Sequence, residues 1–145
     1  MATAVVPKPV ANSTVSITVQ PDPNQPPSTR VAGIAWQPGL TVLDAMIMGD
    51  AASPSTFTFR ALFASVFGAF IDMVDGVEEH DNFYWLFYVN GEFSDLGAST
   101  KPVPGGPGAP NAEIEWKFED VTEGHHAFDH VMRKKRLKAQ FFNRQ

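Results

Sequence analysis

Eight consecutive residues, Phe83-Tyr84-Trp85-Leu86-Phe87-Tyr88-Val89-Asn90, leave this chain few options. Five of the eight are aromatic and Val89 is β-branched, a composition that favours an extended strand, where alternate positions face opposite ways. Phe83, Trp85, Phe87 and Val89 then form one wholly apolar face, and Tyr84, Leu86, Tyr88 and Asn90 form an amphipathic one. Asn90-Gly91 supplies the residues that a tight hairpin turn requires. Such a strand packs its indole into a core. The two phenols turn outward, where a broad ring with a polar tip suits ligand contact.

The neighbouring segments read as further strands around it. Val15, Ile17 and Val19 alternate with Thr14, Ser16 and Thr18, the pattern of a half-buried strand. A Pro-rich loop over Pro21–Pro27 separates it from a second alternating run, Ala32, Ile34 and Trp36. Ile114, Trp116 and Phe118 alternate with Glu113, Glu115, Lys117 and Glu119, giving a last strand with one wet face. Between these, Thr41-Val42-Leu43-Asp44 is a capping box that starts a short helix over about 42–48, with Gly49 as its stop. Phe59, Leu62, Phe63, Val66, Phe67, Phe70, Ile71 and Val74 fit helical spacing, while Phe70–Val74 fits equally well as a strand ending at Asp75-Gly76. Periodicity favours helix for the first half of that stretch and leaves 57–68 open between the two. After Gly124, residues 125–142 read as a terminal helix.

Charge divides the chain unequally. Residues 1–130 hold five Lys/Arg against sixteen Asp/Glu, and residues 131–145 hold six Lys/Arg and no acid. An acidic body repels nucleic acid. The basic tail has a partner at hand in that body, or in the body of a second copy. There is no Cys, which excludes disulfides, thiolate nucleophiles and Cys-based metal sites. No run is long and apolar enough to span a bilayer, and Met1–Val10 lacks the pattern of a signal peptide, so the expectation is a cytoplasmic protein, with a secreted mature form left open.

Several motifs, taken in order, resemble the transcobalamin-like C-terminal domain family. Pro38-Gly39-Leu40-Thr41-Val42-Leu43-Asp44-Ala45-Met46 is similar to that family's helix start, and Phe67 to Val77 to its next segment. Tyr84-Trp85-Leu86-Phe87-Tyr88-Val89-Asn90-Gly91, the most specific piece, is similar to its central strand. Leu96-Gly97-Ala98-Ser99 and Ile114-Glu115-Trp116-Lys117-Phe118 resemble its last two signatures. The resemblance covers about residues 14–120 and implies a β-grasp-like fold, with residues 69–74 as a strand. It also implies binding of a soluble ligand. Pro110-Asn111 departs from the family's usual Gly-Asp before the final strand, and corrinoid binding is not carried over, because the large helical partner domain of the vitamin B12 carriers is missing from this sequence.

The fold class expected is therefore α+β: a β-grasp-like mixed sheet with one short packed helix and an appended C-terminal helix. Residues 1–13 form a flexible lead-in, 14–121 the domain and 122–145 the basic helix. The main functional expectation is a non-catalytic binding module whose ligand-binding residues are Tyr84, Leu86, Tyr88 and Asn90, with no cofactor and no metal. Its partner is a small apolar or amphipathic molecule or a protein, a homo-oligomer included, with no nucleic acid and no membrane. One alternative is a small cofactor-independent enzyme for proton transfer, isomerisation or cyclisation. In it Asp72, partly buried with a raised pKa, is the acid/base and Tyr84 or Tyr88 the donor. The other is a structural accessory subunit that docks through its C-terminal helix. His125, His126, Asp129 and His130 form a candidate metal cluster, but on a helix the two pairs diverge by about 100°. Asp75, Glu78, Glu79, His80 and Asp81 read as a wet acidic loop, and the apolar side of the last helix is interrupted by Lys135.

Overall fold

A computed structural model describes residues 11–52, 57–64 and 68–143. Eight strands and two helices follow in the order β1 (Thr14–Gln20), β2 (Ser28–Ala35), α1 (Val42–Ala51), β3 (Phe59–Ala64), β4 (Gly68–Val74), β5 (Val77–Glu78), β6 (Phe83–Val89), β7 (Glu92–Phe93), β8 (Ala112–Asp120) and α2 (Phe128–Asn143). One sheet has the order β2-β1-β8-β6-β7, and a smaller one has the order β3-β4-β5. β1 and β8 run parallel, while the other pairs are antiparallel. This is the α+β, β-grasp-like arrangement that the motifs imply.

The alternation in sequence becomes the inner face of the large sheet. Val15, Ile17 and Val19, Trp85, Phe87 and Val89, and Ile114, Trp116 and Phe118 are all buried in one cluster. The register sets Trp85 opposite Phe118 and Phe87 opposite Trp116, and each pair brings its ring centroids to 4.9 Å. Cross-strand aromatic pairs of this kind fix register as well as adding packing energy. Val42, Met46, Ile71 and Val74 close the cluster from α1 and β4.

The capping box at the start of α1 is formed as expected. Thr41 Oγ1 accepts from Asp44 N at 3.1 Å, and Asp44 Oδ2 accepts from Thr41 N at 3.0 Å. Thr41→Ala is expected to cost about 1 kcal/mol, read as a lower urea midpoint with an unchanged denaturant slope. Gly49 is not the stop. The helix continues to Ala51, and a Cβ at Gly49 would lie 3.1 Å from Ile17 Cδ1 and 3.3 Å from Val31 Cγ2. The glycine is there so that the helix can lie close on β1 and β2.

The helical reading of the first half of 57–74 is corrected. Residues 59–64 and 68–74 are antiparallel strands, with a register shift between Arg60 and Ala61. An irregularity of that kind breaks the two-residue alternation, so apolar positions fall at spacings that imitate a helix. Val66 and Phe67 lie outside the described residues. Most of the expected lead-in, residues 1–10, does so too. Asn12 and Ser13 are tied down, Asn12 through its side chain to Trp36 O and Ser13 through both its backbone and side chain to Gly106. No helix among the described residues is long and apolar enough to cross a membrane.

Candidate functional site

β6 is extended, with Trp85 in the core and its two tyrosines on the outer face of the large sheet. That outer face is covered by α2. Leu86, Val121, Ala127 and Val131 form a second buried cluster, flanked by Tyr84, Tyr88, Phe93, Phe128 and Met132. Leu86 is 1% exposed and serves as the seat of the helix.

The four residues expected to share a binding face are thereby separated. Tyr84 emerges on one flank of α2, in a hollow of about 210 Å³ shared with Glu79, His80, Lys134, Lys135 and Lys138. Tyr88 emerges on the other flank. Its hydroxyl donates to Glu119 at 2.5 Å and lies 3.2 Å from His126 Nε2. Burial, then the hydrogen bond to Glu119 and the charges of Glu119 and Glu115, push its pKa well above the ordinary phenol value. Asn90 shapes the β6–β7 turn, with φ 52°, and its side chain accepts from Glu113 N at 2.9 Å.

Asp72 on β4 is completely buried, and its charge is neutralised by α2 and β3 together. Arg60 grips it with Nε at 2.8 Å from Oδ1 and a terminal nitrogen at 2.7 Å from Oδ2, and Lys138 reaches Oδ2 at 3.2 Å. The expected raised pKa is corrected. Burial alone would lift it, but the hydrogen bonds from Arg60 and Lys138 and their charges outweigh that and hold the carboxyl below its usual range.

The residue that sequence reasoning missed is Lys134. The apolar stripe of α2 is interrupted on its buried side by this residue, while Lys135 is exposed. Lys134 Nζ donates to Glu79 Oε2 at 2.6 Å, Ile71 O at 2.8 Å and Trp85 O at 3.3 Å, which satisfies all its protons. Both side chains of the Lys134–Glu79 pair are only 3% exposed. Ile71 and Trp85 lie on β4 and β6, which belong to different sheets, so the ammonium rivets the two sheets at their seam. Spacing held the signal: Ala127, Val131, Lys134 and Lys138 recur at helical intervals along one side. The acceptors, far away in sequence, gave none.

A groove of about 560 Å³ runs between β7 and α2, lined by Phe93, Asp95, His126, Met132, Arg133 and Arg136 among others. The ring of Phe93 meets His126 and His130 edge-on, with centroids at 5.2 Å and 5.4 Å. His130 is buried, and its Nδ1 lies 3.1 Å from both the carbonyl and the carboxylate of Asp95. Burial lowers its pKa, the Lys134 charge lowers it further, and Asp95 acts in the opposite sense. Arg133 also pairs with Asp95, whereas Arg136 makes no salt bridge among the described residues. His125 and His126 precede the helix and stack on each other at 4.3 Å. No group of three or more His, Asp or Glu among the described residues is placed to hold a metal ion.

The acidic loop is more engaged than expected. Asp75 pairs with Arg30, Glu78 with Arg60 and Glu79 with Lys134, leaving His80–Asp81 as an exposed pair.

Fold and surface together define a β-grasp-like α+β domain whose outer sheet face is capped by its own basic helix. The chain belongs to the family described as Domain of unknown function (DUF4430), which residues 39–120 match. Haptocorrin, of the transcobalamin family and solved in complex with Cbi, shares the fold with a TM-score of 0.61 and 18% identity over 77% of this chain and 26% of that one. The chain thus spans about a quarter of haptocorrin's length. A candidate metal-binding protein from Ruminococcus gnavus ATCC 29149 gives a TM-score of 0.52 and 15% identity over 76% of this chain and 99% of that one. Both likenesses are of fold. No curated protein matches the chain.

Proposed function

We propose that this chain is a non-catalytic binding module that takes a small, partly apolar ligand in the groove between β7 and α2. The observation that carries this reading is the composition of the groove wall. Phe93 and Met132 offer apolar contact, and Arg136 stands beside them with no salt-bridge partner among the described residues. Six polar or charged residues, Asp95, His126, Asp129, His130, Arg133 and Arg136, surround these two apolar side chains, so the groove offers a small apolar contact within a charged rim. The ligand proposed is a small molecule with an apolar part and an anionic group for Arg136 to receive. Tyr88 backs the groove through ring contacts with Phe93 and His126, and Tyr84 borders a separate, smaller hollow. Leu86 acts through the helix it seats, and Asn90 through the turn that presents Phe93. Both likenesses of fold include proteins named for a bound or candidate ligand, which agrees with this reading.

The enzymatic alternative is less well supported. Both oxygens of Asp72 are occupied by cations, and a general base needs a free lone pair and a mid-range pKa. The accessory-subunit alternative needs a free α2, whereas α2 is packed on its own sheet.

The test uses 1-anilinonaphthalene-8-sulfonate, an apolar ring system with one sulfonate. Fluorescence titration is expected to show one saturable site. Arg136→Glu should weaken binding about tenfold, or about 1.4 kcal/mol, with an unchanged melting temperature, and Met132→Glu should weaken it by a similar factor with a lower melting temperature, since Met132 also packs on the second cluster. No saturable binding, or an affinity in both variants equal to that of the parent chain, would overturn the assignment.

A further inference from the structure

We infer that Nε2 of His130 is a fixed hydrogen-bond acceptor in the groove between β7 and α2, so that the ligand presents a hydroxyl or N–H donor there as well as an anionic group to Arg136. This rests on the groove being the binding site, and it names what that site selects.

The two ring nitrogens of His130 differ in their surroundings. Nδ1 lies 3.1 Å from the Asp95 carbonyl oxygen and 3.1 Å from the Asp95 carboxylate. Both of these are acceptors, so Nδ1 carries the proton. Turning the ring over would set a carbon against the same oxygens. Phe70 and Phe93 hold the ring edge-on, with centroids at 5.6 Å and 5.4 Å. A neutral imidazole with its proton on Nδ1 has a lone pair on Nε2. Burial, then the Lys134 charge, favours that neutral form and outweighs Asp95, whose own charge is shared with Arg133. Nε2 makes no hydrogen bond among the described residues, yet it is not sealed from solvent. His130 lines the groove, and its side chain is only 7% exposed. The lone pair thus opens toward the groove from a held, nearly buried ring.

An acceptor so placed discriminates. Covering it with an apolar surface leaves a desolvated lone pair without a partner, whereas a donor satisfies it. The other acceptors of the groove are less selective. The Asp95 carboxylate is taken up by His130 and Arg133, and Asp129 stands exposed at the rim, where water competes. His130 and Arg136 are six positions apart on α2, roughly 9 Å along its axis, a span that a rigid two-ring body covers.

The test compares three probes with one apolar body and one carboxylate: 6-hydroxy-2-naphthoate, 2-naphthoate and 6-methoxy-2-naphthoate, which accepts but cannot donate. By titration calorimetry, the full-length chain is expected to bind the hydroxy probe about tenfold tighter than either of the others. His130→Asn keeps an amide nitrogen near the place of Nδ1 and deletes Nε2, so the preference should vanish. Nitrogen-15 NMR of the unsubstituted chain supplies an arm that needs no variant. The Nε2 resonance should move on addition of the hydroxy probe and stay in place with 2-naphthoate, which a purely structural histidine would not show. Loss of the preference in His130→Asn, or movement at Nε2 with the hydroxy probe alone, supports the inference. Equal binding of the three probes, each weakened by Arg136→Glu, overturns it and leaves the groove as the site. A preference that survives in His130→Asn overturns it too, and no binding of any probe overturns both readings.

Discussion

Lys134→Met is expected to destabilise the domain by about 3–5 kcal/mol, the cost of removing one partner from a buried ion pair. The thioether fills much of the same space but leaves Glu79 charged and buried, with Trp85 N as its remaining donor at 2.8 Å. It also strips Ile71 O and Trp85 O of the donor that joins them. Lys134→Arg should not restore stability, since a planar fork cannot direct three protons at three converging oxygens as an ammonium does. Removing the charge on both sides, Lys134→Met with Glu79→Gln, should recover a large part of the loss, because no isolated charge then stays buried. Urea unfolding followed by circular dichroism reads all three variants. A loss below about 1 kcal/mol for Lys134→Met would mean that the ammonium does not hold the seam.

The second large effect is at Asp72. Asp72→Asn is expected to cost about 1.5–3 kcal/mol at neutral pH, in the range for hydrogen bonds to charged groups. It is smaller than the first because Arg60 and Lys138 are partly exposed and can turn to water when the carboxylate is lost. Its pH dependence has a definite sign. The folded carboxyl titrates below its ordinary value of 3.8, so its contribution is fully present above that value and is lost as pH falls through it toward the folded pKa. The stability gap between the parent chain and the variant should therefore be constant above about pH 5 and narrow steadily below about pH 4. A gap independent of pH down to about 2 would contradict the pairing.

What could be read from the residues depended on how local the physics was. The alternation in β1, β6 and β8 and the capping box at Thr41 are properties of neighbours, and both carried through to the structure. β3 was hidden because its register shift disturbs the period by which a strand is recognised. The opposite charges of body and tail foretold that the tail would dock on an acidic surface, and Arg133, Lys134 and Lys138 do so. Which cation would be buried was not legible. The cradle assembles from Ile71, Glu79 and Trp85, three positions that nothing in the chain marks as neighbours of residue 134. The outward direction of Tyr84 and Tyr88 was likewise legible, but their division between two flanks follows from where α2 lies.

The oxygens around Lys134 exist well before the nitrogen that unites them, since Ile71 precedes it by 63 residues and Trp85 by 49. A polypeptide leaving the ribosome folds its earlier portion first. Both strands are therefore synthesised and free to pair while the gap between their sheets still faces water. During that interval the two leaves are held by their shared apolar interior and by the Trp85 indole on Val77 O, and biosynthesis, through the arrival of α2, sets the moment at which the charged clasp is added.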